Sequence, residues 1–163
     1  MLKLCTREGS LDSAIVESSN DAIMGKDMRG RITSWNRAAE AMYGYPASEI
    51  IGEPVERLFP GERRHEEAEL LARVRRGEQI KHYEPERLTT DGHRIEVSLT
   101  ISPIYDAQGV IVGASTIGRD ITERKKADRK FRDLLDAAPD ALVIIDTSGI
   151  IALINAQTER LFG

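Results

Sequence analysis

An internal repeat is the feature that most limits what this chain can fold into. The 24 residues that begin at Asp21 align without a gap with the 24 residues that begin at Asp140, an offset of 119 positions. The identical pairs are Asp21/Asp140, Ala22/Ala141, Asp27/Asp146, Gly30/Gly149, Ile32/Ile151, Asn36/Asn155, Glu40/Glu159 and Gly44/Gly163. Similarity at a fixed period indicates that one structural unit is used twice. We therefore expect one complete unit of about 120 residues and the opening part of a second, within a fragment of a longer modular protein.

Composition narrows the class of protein. The chain has 163 residues, of which 40% are hydrophobic and 31% are charged, enough apolar surface for a real core. A net charge of −4 disfavours a nucleic-acid-binding protein, because such proteins gain affinity from a basic face. No apolar run reaches the length of a membrane span, and a single cysteine excludes an internal disulfide framework. We expect a cytoplasmic protein with no nucleic-acid or membrane contact.

Turn and capping signals divide the chain into four parts. We expect an N-terminal cap helix within residues 1–20, a folded domain over 21–120, a charged connector helix over 121–136 and the incomplete second unit over 137–163. The folded domain should contain two strands, several short helices and three further strands. This order predicts an α+β unit with an antiparallel sheet.

Two elements of this domain carry specific expectations. A helix is predicted over 62–76, because apolar residues recur there at helical spacing. Its predicted buried stripe is Ala68, Leu71 and Val74. Its predicted solvated carboxylates are Glu66, Glu67 and Glu69. A strand is predicted over 79–89, with an edge or bulge at Pro85, which has no N–H to donate.

The order and spacing of these landmarks resemble a PAS domain of the bacterial sensory type. The residues that carry the resemblance include Asp27, Gly30-Arg31-Ile32, Trp35-Asn36-Arg37-Ala38-Ala39-Glu40, Glu49-Ile50-Ile51-Gly52, Asp91-Gly92 and Arg119-Asp120-Ile121-Thr122. The resemblance covers 12–124 and resumes over 131–163, the truncated start of a second PAS domain. It implies a five-stranded antiparallel sheet in the order 2-1-5-4-3 with short helices on one face. It also implies a non-catalytic module that controls an output domain outside the fragment, most often a histidine kinase of a two-component system.

A ligand pocket in such a fold lies between the sheet and the short helices. Simple core packing is the alternative for each candidate lining residue. The candidates are Met24, Trp35, Met42, Leu58, Leu71, Val74, Leu99, Ile101 and Thr116. The predicted signal-relay residues are Asp120, Ile121 and Thr122, where the last strand passes into the connector helix.

Cofactor chemistry is weighed at a few residues. PAS oxygen sensors that bind haem resemble this region and use a helical histidine, which here would be His65. However, the spacing from Pro60 to His65 is about two residues short of that pattern, and the neighbours of His65 are charged. Both observations favour a surface histidine. Light-oxygen-voltage flavin chemistry needs a cysteine between Trp35 and Arg76, where none occurs. Non-covalent flavin stacked on Trp35 remains an alternative. No metal cluster is expected, because the other histidines are isolated.

Three functions therefore stay open. The first is a sensory module that binds a small ligand or relays a conformational change, and forms a homodimer through the cap helix, the sheet or the connector helix. The second is an oxygen or redox sensor that contains haem or flavin. The third is a ligand-free protein-interaction scaffold. In each case the incomplete second unit is expected to leave Val143, Ile145, Ile151 and Leu153 without the rest of a sheet to cover them.

Overall fold

The computed structural model describes residues 8–162, which form two compact units divided between Ile121 and Thr122. Cys5 and the first residues of the predicted cap helix lie outside this range. Within it, no helix is both long enough and apolar enough to cross a bilayer.

From residue 8 onward, the first unit contains four α-helices and six strands. They are α1 (Glu8–Ser18), β1 (Ala22–Asp27), β2 (Ile32–Trp35), α2 (Arg37–Tyr43), α3 (Ala47–Ile50), α4 (Glu66–Arg75), β3 (Ile80–Tyr83), β4 (Glu86–Leu88), β5 (Arg94–Tyr105) and β6 (Ile111–Asp120). Between α3 and α4 the chain makes two 3₁₀ turns, Val55–Leu58 and Gly61–Arg63.

The strands form one antiparallel sheet in the order β2-β1-β6-β5-β3, and β4 also pairs with β5. When β3 and β4 are counted together, this is the predicted order 2-1-5-4-3. The α+β class and the antiparallel sheet are confirmed. Strand β6 lies at the centre, hydrogen-bonded to β1 on one side and to β5 on the other.

The single strand predicted over 79–89 is wrong in one respect. It is two strands that pair with different halves of β5: Ile80 lies opposite Ile101, whereas Glu86 lies opposite Glu96. The break between them includes the buried Pro85, and within β3 the positive φ of His82, 52°, departs from strand geometry. The register shifts by one residue between Ile80 and Tyr83, and β4 keeps the register of Tyr83, so Pro85, which cannot donate to a ladder, interrupts the strand without changing the register.

Helix α4 also differs from its prediction. It begins at Glu66, after a 3₁₀ turn, and its buried residues are Glu67, Leu70, Leu71 and Val74. Ala68 is exposed, so the predicted stripe is displaced by one residue. Spacings of three and four from Glu67 to Val74 still place these residues on one helical face. The buried face includes a carboxylate because a lysine from the sheet meets it, as described below.

The core lies between one face of the sheet and the helices that follow β2. Strand β5 alternates as its sequence suggests: Val97, Leu99 and Ile101 are buried, and the residues between them are half-buried on the opposite face. The largest side chain that is fully buried is that of Tyr43, at the end of α2. A continuous apolar cluster therefore joins α2, α4, β1 and β5.

The second unit contains four elements. They are α5 (Thr122–Asp136), β7 (Val143–Ile145), β8 (Ile151–Ile154) and α6 (Ala156–Phe162). The hairpin β7–β8 reproduces β1–β2 in detail: Val143 pairs with Ile154 as Met24 pairs with Trp35, and each hairpin has a register shift at the equivalent position. The internal repeat is thus a repeat of structure as well as of sequence.

Burial differs sharply between the two copies of this hairpin. Val143, Ile145 and Ile151 are 47%, 61% and 62% exposed. Their equivalents in the first unit, Met24, Lys26 and Ile32, are 3%, 3% and 1% exposed. Of the side chains expected to lack cover, only Leu153 is half-buried.

Candidate functional site

A small, partly open cavity lies between the sheet and the helices of the first unit. Its volume is about 20 Å³, which is room for about one water molecule. The lining residues are Met24, Lys26, Tyr43, Val55, Leu58, Phe59, Glu67, Leu70, Arg87, Leu99, Ile101 and Thr116. Five of the nine residues predicted from the sequence are among them: Met24, Leu58, Leu99, Ile101 and Thr116.

The other four predicted residues lie elsewhere. Trp35 is a core residue whose Nε1 donates to the Tyr45 carbonyl at 2.9 Å. Leu71 and Val74 are buried on α4 but do not line the cavity. Met42 is half-buried and faces a separate open groove beside the end of α1.

A buried ion pair forms one wall of the cavity. The Nζ atom of Lys26, on β1, donates to both carboxylate oxygens of Glu67, on α4, at 2.6 and 2.7 Å. Both side chains are almost fully buried, at 3% and 4% exposure. Burial lowers the pKa of Lys26 and raises the pKa of Glu67, because each charge has lost its water, and the attraction between the two offsets part of this effect.

This pair was not predicted from the sequence: Glu67 was expected on a solvated face, and that prediction is wrong. Two signals were present. Glu67 stands three and seven residues before Leu70 and Val74, and Lys26 follows Met24 by two positions on an alternating strand. Each charge thus sits on the apolar side of its element, and the two neutralise each other there.

A second buried cation lies near the pair. Arg87, on β4, is 2% exposed, and its guanidinium lies 3.8 Å from the centre of the Phe59 ring. It donates to the Glu86 carbonyl at 2.8 Å and lies 3.6 Å from the Glu66 carboxylate. A guanidinium tolerates this position because it is weakly hydrated and stacks on aromatic faces.

The hydroxyl of Tyr43 is the least satisfied polar group of the site. It is fully buried, and no hydrogen-bond partner lies within reach of it among the described residues. Burial raises the pKa of Tyr43 to about 12, because the phenolate would be desolvated. The cavity therefore combines apolar walls with two cations, one carboxylate and one unpartnered hydroxyl.

Comparison with known proteins identifies the family of this fold. Residues 10–121 match the PAS fold family, and 129–163 match a second PAS domain family. The chain belongs to the PAS family. The first PAS unit covers more than half of the chain, and the second family match begins within α5.

Relatives of known role are signalling proteins. The chain is 32% identical over 125 residues to the signal transduction histidine-protein kinase AtoS of Escherichia coli, covering 75% of this chain and 20% of that kinase. It is 32% identical over 113 residues to the methanogenesis regulatory histidine kinase FilI of Methanothrix harundinacea, covering 69% and 13%. The chain thus spans a fifth or less of these kinases, and the matches lie in a PAS module for sensory signal transduction.

A solved structure confirms the fold. The PAS domain of a protein from Colwellia psychrerythraea is 34% identical, with a TM-score of 0.65, covering 71% of this chain and 98% of that one. The PAS domain of BvgS from Bordetella pertussis has a TM-score of 0.59 at 22% identity, covering 82% and 100%, and shows likeness of fold alone.

The end of β6 is where the PAS unit passes into α5, and the three predicted relay residues lie there. Ile121 is buried, and its amide donates to the Glu96 carbonyl at 2.8 Å. Asp120 is exposed at the groove beside α1, and Thr122 is the first residue of α5. Next to them, Arg119 makes two hydrogen bonds of 3.0 Å to the Asp21 carboxylate.

The cavity does not fit the cofactors considered from the sequence. His65 is exposed at the start of α4 and does not line the cavity. A volume of about 20 Å³ is far below the several hundred Å³ of a typical cofactor pocket. Within residues 8–162, His, Cys, Asp and Glu form no group of three or more that could hold a metal ion.

Proposed function

We propose that this chain is a relay module of a sensor histidine kinase. In this proposal the first PAS unit transmits a change in its core packing through β6 into α5, and α5 acts on an output domain elsewhere in the protein. The relatives supply the class of output, because both kinases named above match this chain through PAS sequence.

The observation that carries the proposal is the small volume of the cavity in the core. A cavity of one-water size is a poor receptor for a resident ligand, whereas the elements around it are firmly tied together. Lys26 and Glu67 join β1 to α4, and β6 pairs with β1 along the whole of that strand. Packing changes in the core therefore reach the central strand, which leads directly to Ile121 and α5.

A homodimer contact through α5 fits this role. The helix has no buried residue, and its large apolar side chains Phe131 and Leu134 are 53% and 64% exposed. They stand three positions apart, so they share one face of the helix. We propose this face as the dimer contact, with α1 and the outer face of the sheet as the alternatives.

Disulfide crosslinking between copies of the chain tests the relay. Leu134→Cys is introduced in a Cys5→Ser background, and its crosslinking rate is compared with and without Lys26→Met/Glu67→Leu, which replaces the buried pair by apolar side chains. We expect the rate to change, because the wall between β1 and α4 is repacked. The control is Lys81→Met, which alters an exposed lysine. Equal rates in all three proteins would contradict the relay.

One observation favours a second function, the sensing of a small ligand. The unpartnered Tyr43 hydroxyl at the cavity is a group that a small polar molecule could satisfy if the core opened to admit it. Native mass spectrometry of the freshly purified chain tests this directly. A bound small molecule that is lost in Tyr43→Phe would favour sensing over relay, and a visible haem or flavin absorption band would contradict both readings of the cavity.

A further inference from the structure

Asn36 is a junction of four hydrogen bonds in the first unit. Its Oδ1 accepts from the amides of Ile23, in β1, and Ala39, in α2, both at 2.9 Å. Its Nδ2 donates to the carbonyl of Val16, in the last turn of α1, at 2.9 Å and to that of Asp21 at 3.1 Å. One buried side chain thus holds the end of a helix, the start of a strand and the cap of the next helix.

Asn155 makes the same four bonds in the second unit. Its Oδ1 accepts from the amides of Leu142 at 2.9 Å and Thr158 at 3.1 Å. Its Nδ2 donates to the carbonyls of Leu135 at 3.0 Å and Asp140 at 2.9 Å. Every partner is the residue 119 positions after its counterpart in the first unit.

A fifth bond repeats as well. In the first unit, the amide of Arg37 donates to the carboxylate of Glu17 at 3.1 Å. In the second unit, the amide of Ala156 donates to the carboxylate of Asp136 at 2.9 Å. Both carboxylates lie at the end of a helix that precedes the hairpin, and both receive the first amide of the helix that follows it.

The helix that takes the place of α1 in the second unit is α5. We propose that α5 is a shared helix, which begins where the first PAS unit ends and whose last turn is the cap helix of the second. We propose further that Asn155 and Asp136 form the joint through which movement of α5 reaches β7 and α6. This deepens the relay proposed above, on which it rests, by naming the residues that receive the signal.

The two ends of the Asn155 side-chain amide bind different elements of this joint. Its Nδ2 faces the end of α5, whereas its Oδ1 faces the hairpin and the cap of α6. Asn155 is 1% exposed, so bonds lost here are not replaced by water. Asn155→Asp keeps the acceptor and removes the donor, and therefore disconnects α5 while it preserves the cap.

Amide hydrogen exchange on the 163-residue chain tests the joint. The reporters for the end of α5 are the amides of Ala137 and Ala138, which donate to the carbonyls of Asp133 and Leu135. In Asn155→Asp we expect their exchange to rise about 2- to 10-fold, the range for one net hydrogen bond. The matched control is Asn36→Asp, which should leave both reporters unchanged. Unchanged exchange in Asn155→Asp would overturn the joint.

Coupling along the helix is tested by a second perturbation. Ile121→Ala loosens the buried anchor in front of α5. If α5 is shared, this variant raises exchange at the Leu142 and Thr158 amides, and the rise disappears when Asn155→Asp is added. No rise in the first case, or the same rise in both backgrounds, would contradict a shared helix.

A milder variant covers the case in which Asn155→Asp unfolds the hairpin. Asp136 is exposed, so Asp136→Ala removes only the bond to the Ala156 amide. It should raise exchange at Ala156, and Glu17→Ala in the first unit should not; equal exchange in the two would overturn the role of Asp136. These measurements need no dimer, so they can succeed or fail independently of the crosslinking test of the relay.

Discussion

At the scale of single residues, the core of the first PAS unit contains polar groups whose burial the sequence alone does not predict. Tyr43, Lys26 and Glu67 all lie in the core, each at less than 4% exposure. Helical and strand periodicity place their positions on inward faces, but periodicity alone cannot predict that a charged residue will stay there. That outcome depends on a partner from a distant part of the chain, 41 residues away for this ion pair.

Removal of the Tyr43 hydroxyl should stabilise the protein. A buried donor without a partner costs about 1–3 kcal/mol, so Tyr43→Phe should raise the free energy of unfolding by about 1 kcal/mol in urea titrations at pH 7. Tyr83→Phe is the matched control. It should lower the free energy of unfolding, because the Tyr83 hydroxyl donates to Glu66. A loss of stability in Tyr43→Phe would show that the hydroxyl has a partner.

The same residue predicts a dependence on alkaline pH. The pKa of Tyr43 is raised from 10.0 to about 12 in the folded protein. Between these values the unfolded chain loses the proton and the folded chain keeps it, so the free energy of unfolding falls as pH rises. The total loss is about 2–3 kcal/mol. Unfolding titrations at pH 9 and 11.5 should show most of this loss in the wild type, reduced in Tyr43→Phe; equal losses would contradict it.

Removal of one partner of the Lys26–Glu67 pair should destabilise the protein strongly, whereas replacement of both partners should not. Lys26→Met leaves the Glu67 carboxylate buried without a partner, and we expect it to lower the free energy of unfolding by about 3–5 kcal/mol. Lys26→Met/Glu67→Leu should recover most of that loss, because an apolar pair avoids both desolvation costs. Glu53→Ala, in the exposed pair with Arg57, should cost less than about 1 kcal/mol. A double variant that stays as unstable as Lys26→Met would contradict this prediction.

At the scale of elements, the sequence predicted helices and strands more accurately than the residues at which they begin and end. The strand order and the alternation of β5 follow from periodicity and from turn residues such as Asp91-Gly92. The break between β3 and β4 and the start of α4 depend on which neighbour the backbone pairs with. Those contacts are made across the fold, so local sequence indicated the interruption at Pro85 but not the register shift between Ile80 and Tyr83.

Close approach of β1 and β6 makes Gly113 a sensitive position. A Cβ atom at this residue would lie 2.4 Å from the backbone carbonyl oxygen of Lys26, closer than any real contact. Gly113→Ala should therefore push the two strands apart and lower the free energy of unfolding by about 1–3 kcal/mol. Gly61→Ala, which meets nothing within 4 Å, is the control. Thermal unfolding that is equal in the two variants would contradict this packing.

At the scale of the whole molecule, the repeat predicted two copies of one fold, and the structure shows the opening elements of the second copy. Its helices and hairpin form with the same register and the same asparagine junction, so local sequence is enough to specify them. Their burial is not specified in this way. In the first unit, cover for the hairpin comes from β6 and α4, which are far away in sequence.

Uncovered apolar side chains should make the chain associate with itself. Ile145 and Ile151 are cross-strand partners, each more than half exposed, and burying such a side chain gains about 1.5–3 kcal/mol. Sedimentation velocity over a range of concentrations should show association that weakens in Ile145→Ser/Ile151→Ser. Ile51→Ser, an exposed isoleucine in the first unit, is the control. A chain that stays monomeric at every concentration would contradict this expectation.

Gly30 and Gly149 occupy the same position in the two hairpin turns of the repeat. Gly149 has a positive φ of 83°, a backbone conformation that favours glycine. Gly30 has the same backbone, but a Cβ atom there would also lie 3.3 Å from the Glu67 carboxylate of the buried pair. Asparagine accepts positive φ at modest cost. Asparagine at position 30 would therefore suit the backbone of the turn but crowd the buried ion pair, so the hairpin turn and the pair restrict each other's substitutions.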